Sequence, residues 1–239
     1  MTRSGPPSPK LGFYLTPDHA CGYLDDRVAR TVFVDPDALP DAPTQTALAA
    51  AGFRRSGRFL YRPACRACHA CVPVRLPVAE FTPDRGQRRT LAANRGVVVV
   101  PVPLARDEEH TALYARYQAS RHPDGAMLAR SPDEFLEFFA SGFSDTWLYE
   151  MREDRRLLGV MVVDRLRDAL SAVYTFFEPE LERRSLGTFA VLWQVAEAKR
   201  LGLRWLYLGY WIEECRKMAY KDRFRPLERF SDGVWHRAG

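Results

Sequence analysis

The spacing of apolar residues changes period several times along the second half of the chain, and each change predicts an element. Residues 97–102 are valine but for one proline and read as a strand. Residues 107–120 show three- and four-residue spacing, which turns Leu113, Tyr114 and Tyr117 inward on an amphipathic helix. A second helix is predicted over 131–140, with Ser131 as N-cap, Pro132 at the first helical position and Glu134 three residues after the cap. Apolar runs at 147–150, 157–163 and 170–177 are short, β-branched or aromatic, and joined by tight turns, the pattern of an antiparallel meander. Glu178-Pro179 ends the last run. Helical spacing then returns through Phe189, Leu192, Trp193, Ala196 and Lys199-Arg200, with Gly202 as its stop. A strand at 205–208 ends at Gly209, and a last helix follows Trp211.

The first half is less regular. A strand is predicted at 31–34, a small helix at 44–52, and a hairpin or bulged strand at 53–61, where basic and apolar residues alternate around Gly57. Residues 72–78 are extended, because their prolines exclude helix. Residues 83–95 hold Arg85, Arg88, Arg89 and Arg95 with a single acid, and form a surface helix or linker. The expected organisation is therefore a cysteine-containing N-terminal domain over 1–92, with residues 1–10 as a frayed tail, and a second domain over 93–239. The class is α+β. The order β-α-α-β-β-β-α-β-α of the second half is that of a GNAT-like acyltransferase domain.

Composition narrows the reading only a little. A chain of 239 residues with 46% hydrophobic and 27% charged content buries a core unaided. A net charge of +5 and a pI near 9.0 lean towards a polyanionic partner without establishing one. No apolar run reaches the roughly 20 residues that span a bilayer, and the start MTRSGPPSPKLGFYL lacks a signal-peptide core. Of five cysteines, three crowd into residues 65–71, which is no secreted disulfide framework. The expected compartment is the reducing cytosol.

Two places carry candidate chemistry. The strand, small-residue turn, helix and strand from Ala172 to Leu208 form a βαβ-like unit. The N-terminus of its helix, at Arg184-Ser185-Leu186-Gly187-Thr188, presents unpaired N–H groups to an anion, best a phosphate. Arg184-x-x-Gly187 partly matches the phosphate-binding signature of the GNAT fold. The second place is Cys65-x-x-Cys68-x-x-Cys71 with Cys21 upstream, soft ligands enough for zinc or an iron–sulfur cluster, or else reduced thiols beside the substrate path.

Longer words fix the resemblance. CGYL at 21–24, the cysteine cluster followed by VPVRL, SAVYTFFEP, RSLGTFAVLWQ, LYLGYWI and CRKMAYKDRFRP resemble the arginyl-tRNA–protein transferase family over about residues 17–235, most closely its bacterial leucyltransferase branch. The resemblance implies transfer of an amino acid from aminoacyl-tRNA, here leucyl-tRNA, to the N-terminal amine of proteins beginning with Asp or Glu. This marks them for degradation. It also implies important cysteines in the first half, although Leu24 stands where eukaryotic members have a second cysteine.

The reaction starts from an ester that is already activated, so no cofactor is required. The acceptor amine, with an ordinary pKa around 7.7–8.0, must be desolvated, aligned and relieved of a proton. Asp164 is the carboxylate candidate, with a plain turn aspartate as the alternative. Tyr174 and Tyr207 are candidate catalytic residues. Tyr174 and Phe176 share a strand face suited to line the acceptor site or leucyl pocket. Tyr207 and Tyr210 offer hydroxyls to the substrate amine or ester, with core packing as the alternative. Arg184, Ser185, Gly187 and Thr188 are candidates for the 3′-terminal phosphates of tRNA. Lys221 belongs to a basic, aromatic segment with Arg216, Lys217, Arg223 and Arg225, suited to phosphate contact and base stacking. Arg75, Arg88 or Arg121 would read the acidic acceptor, and His122 is a further candidate base. The competing readings are arginine as the transferred residue, an acetyl-coenzyme A-dependent N-acetyltransferase, and a non-catalytic nucleic-acid-binding module.

Overall fold

The computed structural model describes residues 11–121 and 131–238. The expected tail over 1–10 and the candidate base His122 lie outside the described residues. In the first part, strands β1 (Phe13–Leu15), β2 (His19–Ala20), β3 (Val28–Ala29) and β4 (Thr31–Val34) precede helix α1 (Ala42–Ala50). Asp41 caps α1 by accepting a hydrogen bond from the Thr44 amide, and a proline follows in its first turn. The hairpin β5 (Arg54–Ser56) and β6 (Phe59–Pro63) turns through Gly57, whose φ of +54° favours glycine. These elements make a four-stranded sheet in the order β1-β4-β6-β5 and a separate β2–β3 ribbon.

The rest of the chain builds one large sheet. Its elements are β7 (Val72–Pro77), α2 (Arg85–Ala93), β8 (Val98–Pro103), α3 (Glu108–Arg121), α4 (Pro132–Phe139), β9 (Asp145–Glu153), β10 (Arg156–Arg165), β11 (Ala169–Phe177), α5 (Leu186–Arg200), β12 (Trp205–Trp211), α6 (Arg216–Ala219), β13 (Glu228–Ser231) and β14 (Val234–Arg237). Eight strands pair in the order β14-β13-β7-β12-β11-β10-β9-β8. Strand β7 lies before residue 92 yet pairs with β12 and β13, so the sheet draws on both sides of the expected boundary. The basic stretch 83–95 is helix α2, closed by a capping box between Asp84 and Gln87.

Alternation along β10 explains why helices cover both faces. Met161 and Val163 point to the α5 side, where Phe189, Ala190, Leu192 and Val195 meet them. Val160 and Val162 point to the opposite side, against Leu113 and Tyr114 of α3 and Phe135 and Phe139 of α4. Helix α4 carries the expected Ser131 cap. The N-terminal hairpin β5–β6 meets the end of α4, where Arg55 donates to the Phe139 carbonyl, and reaches β11, where Arg54 donates to the Val173 carbonyl.

Candidate active site

Among the described residues the large sheet has one parallel joint, and it is short. Strands β11 and β12 pair only over Ala169–Ser171 against Trp205–Tyr207. Beyond it β11 runs on to Phe177 through a bulge at Val173, while β12 bends at a bulge between Tyr207 and Gly209. The strands diverge and leave backbone groups of β11 open on that side. Arg54 of β5 enters the opening. Its Nη2 donates to the Val173 carbonyl at 2.7 Å, and its guanidinium lies against Gly209, where a Cβ would stand 2.6 Å from Nη1. Glycine is required there for this approach and for its φ of +76°.

Phenols surround the guanidinium. Burial alone would weaken its proton affinity, but the neighbouring oxygens of Tyr61, Tyr23, Tyr210 and Tyr220 outweigh this and raise it. Tyr210 is fully buried, with its hydroxyl 3.0 Å from the Gly52 carbonyl and 3.1 Å from that of Tyr61. Burial first pushes the hydroxyls of Tyr23, Tyr174 and Tyr210 up, so all three stay neutral at physiological pH. Lys221, also buried, donates to the Tyr210 carbonyl and lies 3.4 Å from the Met218 sulfur. Burial, with the Arg54 charge added, holds its amine well below the usual lysine range. Among the described residues no carboxylate pairs with Arg54.

A line of aromatic contacts leads from this cleft to the start of α5. The Tyr174 oxygen accepts from Gln118 at 3.0 Å, and its ring centroid is 6.4 Å from that of Tyr117. Tyr117 meets Phe177 at 5.0 Å. The Phe177 ring covers Gly187, where a Cβ would stand 3.2 Å from it. Ser185 enters α5 in the left-handed region, at φ +54°, with no side-chain cap. The first-turn amides of Leu186, Gly187 and Thr188 therefore remain the anion-facing groups of this terminus. Arg184 does not join them. Its guanidinium holds Glu153 with two bonds of 2.6 and 2.9 Å and donates to Asn94 at 3.0 Å.

Several other candidates are tied into the framework, although two of them, Asp164 and Tyr207, also border the recesses beside Arg54. Asp164 is buried, takes Arg55 Nε at 2.6 Å and Nη2 at 2.8 Å on its two oxygens, and accepts from Thr146 at 2.7 Å. Arg55 also donates to the carbonyls of Gly57 and Phe139. Phe176 is 0% exposed and packs against Tyr114 and Phe135, so it lines no pocket, and its loss to alanine is a core cavity costing about 3–5 kcal/mol. Arg75 stacks between Trp205 and Trp235, at 3.6 and 4.2 Å from the ring centroids, and pairs with Glu228 at 2.8 Å. Tyr207 accepts from Arg75 at 3.3 Å. Arg121 pairs with Glu182 at 2.9 Å, and Arg88 donates to the Pro83 carbonyl.

The thiols of Cys21, Cys65, Cys68 and Cys71 are half-buried and free. Burial, then the nearness of Cys21, Cys65, Cys68 and Cys215, pushes the Cys71 thiol up to about 12. Among the described residues no three His, Cys, Asp or Glu side chains converge into a metal-ligand set. Nor is any helix among the described residues long and apolar enough to cross a membrane.

The chain is thus a mixed α/β protein in which a distinct N-terminal domain closes over the divergent strands of one large sheet. Family models match both parts, arginine-tRNA-protein transferase N terminus over residues 19–89 and C terminus over 109–231. The chain belongs to the arginine-tRNA-protein transferase family, enzymes that take an aminoacyl-tRNA donor and a protein acceptor. The aspartate/glutamate leucyltransferase of Marinobacter nauticus is 55% identical over 94% of this chain and 95% of its own length. That of Pseudomonas fluorescens is 50% identical over 95% and 96%. Among solved structures, FemX aligns with a TM-score of 0.48 and 11% identity over 86% of this chain and 81% of its own. A GCN5-related N-acetyltransferase from Anabaena variabilis aligns at 0.39 and 16% over 77% and 42%.

Proposed function

We infer that this chain moves leucine from leucyl-tRNA to the N-terminal α-amine of proteins beginning with Asp or Glu, in the cytosol, marking them for degradation. The observation that carries the reading is the near full-length identity of 55% and 50% to proteins named for that activity. The large sheet is read as a GNAT-like acyl-transfer fold, on the strength of the split between β11 and β12 beside a helix N-terminus.

The acceptor amine enters the tyrosine-lined split and attacks the ester carbonyl of leucyl-tRNA. A C–N bond forms, the ester C–O bond breaks, and the proton lost by the amine ends on the released ribose hydroxyl. The amides of Leu186, Gly187 and Thr188 hold a 3′-terminal phosphate, and Ser185 shapes that turn. Tyr174 accepts from Gln118 and so keeps its own proton to donate to the developing oxyanion. Tyr210 and Lys221 build the floor of the cleft. Arg75, Tyr207, Arg184 and Asp164 act through their ion pairs and hydrogen bonds, holding the walls in place. A soft metal would require Cys21, Cys65, Cys68 and Cys71 to close up, and the transfer as written calls for no cofactor.

The test is transfer of labelled leucine from leucyl-tRNA, with arginyl-tRNA in parallel, to peptides starting with Asp, Glu, Arg or Ala. Leucine appears on the Asp and Glu peptides alone. Arginine on those peptides instead would contradict the choice of donor, and no transfer by folded protein would remove the reading.

A further inference from the structure

Discrimination of an acidic first residue needs a cation that the protein does not already neutralise. The arginines suggested by sequence do not offer one in the cleft. Arg75 is paired with Glu228 and stacked between tryptophans, and Arg121 is paired with Glu182. Arg54 is different. It spends one donor on the Val173 carbonyl, and its other donors bond to no described protein group. Two small recesses, each open to solvent, flank it. The first is bordered by Gly52, Ser171, Tyr207, Gly209 and Tyr210, the second by Ser144, Leu166 and Asp164, whose charge Arg55 already holds. Its phenol neighbours bring no carboxylate to neutralise it, and the Tyr210 hydroxyl among them is already spent on the carbonyls of Gly52 and Tyr61. An arginine fork in such a place suits a carboxylate held by two parallel bonds.

We propose that Arg54 is the specificity-determining residue that grips the Asp or Glu side chain of the acceptor's first residue. The proposal rests on the leucyl-transfer reading above and adds the group that selects the acceptor. It also fixes direction. With the carboxylate at Arg54, the acceptor amine faces Tyr174, on the path of contacts that leads to Gly187 and the donor end. The structure of β5 makes the residue rigid enough for this role. Arg55, next in the strand, is pinned to Asp164, and Arg54 itself is held by the Val173 carbonyl and packed against Gly209.

The test compares kcat/KM for leucine transfer to peptides differing only at the first residue, Asp against Asn and Glu against Gln. Wild type is compared with Arg54→Gln and Arg54→Lys, with thermal unfolding and leucyl-tRNA binding measured on each. The glutamine variant lowers the acid-over-amide ratio about a hundredfold, because charge-assisted bonds to the carboxylate are lost. Its leucyl-tRNA binding stays within about twofold, since a phosphate-contacting role would move donor binding and not the acceptor ratio. The lysine variant keeps a charge without the fork and loses about tenfold of the ratio. If Arg54→Gln does not fold, the lysine ratio alone is read. A ratio unchanged in the folded variant, whether or not the rate falls, overturns the proposal. Wild type that moves no leucine to any peptide removes the transfer reading and this proposal with it, a result separate from an unchanged ratio.

Discussion

Arg54 and Arg55 are neighbours in one three-residue strand, and the pleat sends them to opposite fates. Arg55 turns to Asp164, Thr146 and two carbonyls, and its bonds to Asp164, Thr146 and Phe139 tie the N-terminal sheet to β10, β9 and the end of α4. Arg54 turns into the split between β11 and β12, where it meets one carbonyl and a ring of phenols. The same side chain is framework in one position and free chemistry in the other. What separates them is the presence of a buried carboxylate. Substitutions on the Arg55 side should therefore register in stability, and those on the Arg54 side in turnover.

The largest effect is expected at Asp164. Asp164→Ala leaves the Arg55 charge buried and unpaired and costs about 3–5 kcal/mol, read from urea unfolding midpoints. Replacing both partners, Arg55→Met with Asp164→Leu, costs less than that single change, and an equal or greater loss would break the framework reading. Next comes Tyr174→Phe, which removes the proposed oxyanion donor. It lowers kcat by about a hundredfold, while the lost Gln118 bond costs only about 1 kcal/mol of stability. A fall in stability with kcat intact would move Tyr174 to the framework side. Gly209→Ala bridges the two regions. Its positive φ costs about 1–3 kcal/mol and its methyl group displaces Arg54, so both unfolding midpoint and transfer rate fall.

The smallest effect concerns Cys71, whose thiol is raised from its ordinary value to about 12. The folded chain keeps that proton while the unfolded chain releases it near 9, so this contribution to stability is full below about 9 and fades towards about 12. Cys71→Ala flattens the alkaline slope of stability over that window. At pH 8 alkylation of Cys71, followed by mass spectrometry, is slower than that of a free cysteine peptide by about two to three orders of magnitude. A rate equal to the peptide's would contradict the burial.

Much of the fold was legible because its signals are local. The alternation in β10, the Ser131 cap and the Gly202 stop need only neighbouring residues to be read. The hairpin β13–β14 was not expected, although Asp232-Gly233, where both residues take positive φ, is its local signal. A helix was expected after Trp211, and only the short α6 and a 3-10 turn precede that hairpin. Strand β7 was not placeable, because its pairing with β12 closes over more than a hundred residues.

The site divided in the same way. Gly187 and the start of α5 follow from spacing. Which arginine is paired does not, since Arg75 finds Glu228, Arg184 finds Glu153 and Arg55 finds Asp164 only through tertiary packing. The one available signal was the adjacency Arg54-Arg55 in a predicted strand. Opposite faces demand two different partners, and only one buried carboxylate answers.

The most direct measurement of the contrast is single-turnover leucine transfer to an Asp-starting peptide by Asp164→Asn, counted per folded molecule below its own unfolding midpoint. The account predicts a less stable protein whose folded fraction transfers within about tenfold of wild type, with an unchanged pH profile, because Asp164 holds the cleft and does not take the proton. A folded variant slowed by three or more orders of magnitude, with leucyl-tRNA binding intact, would contradict it and make Asp164 the base.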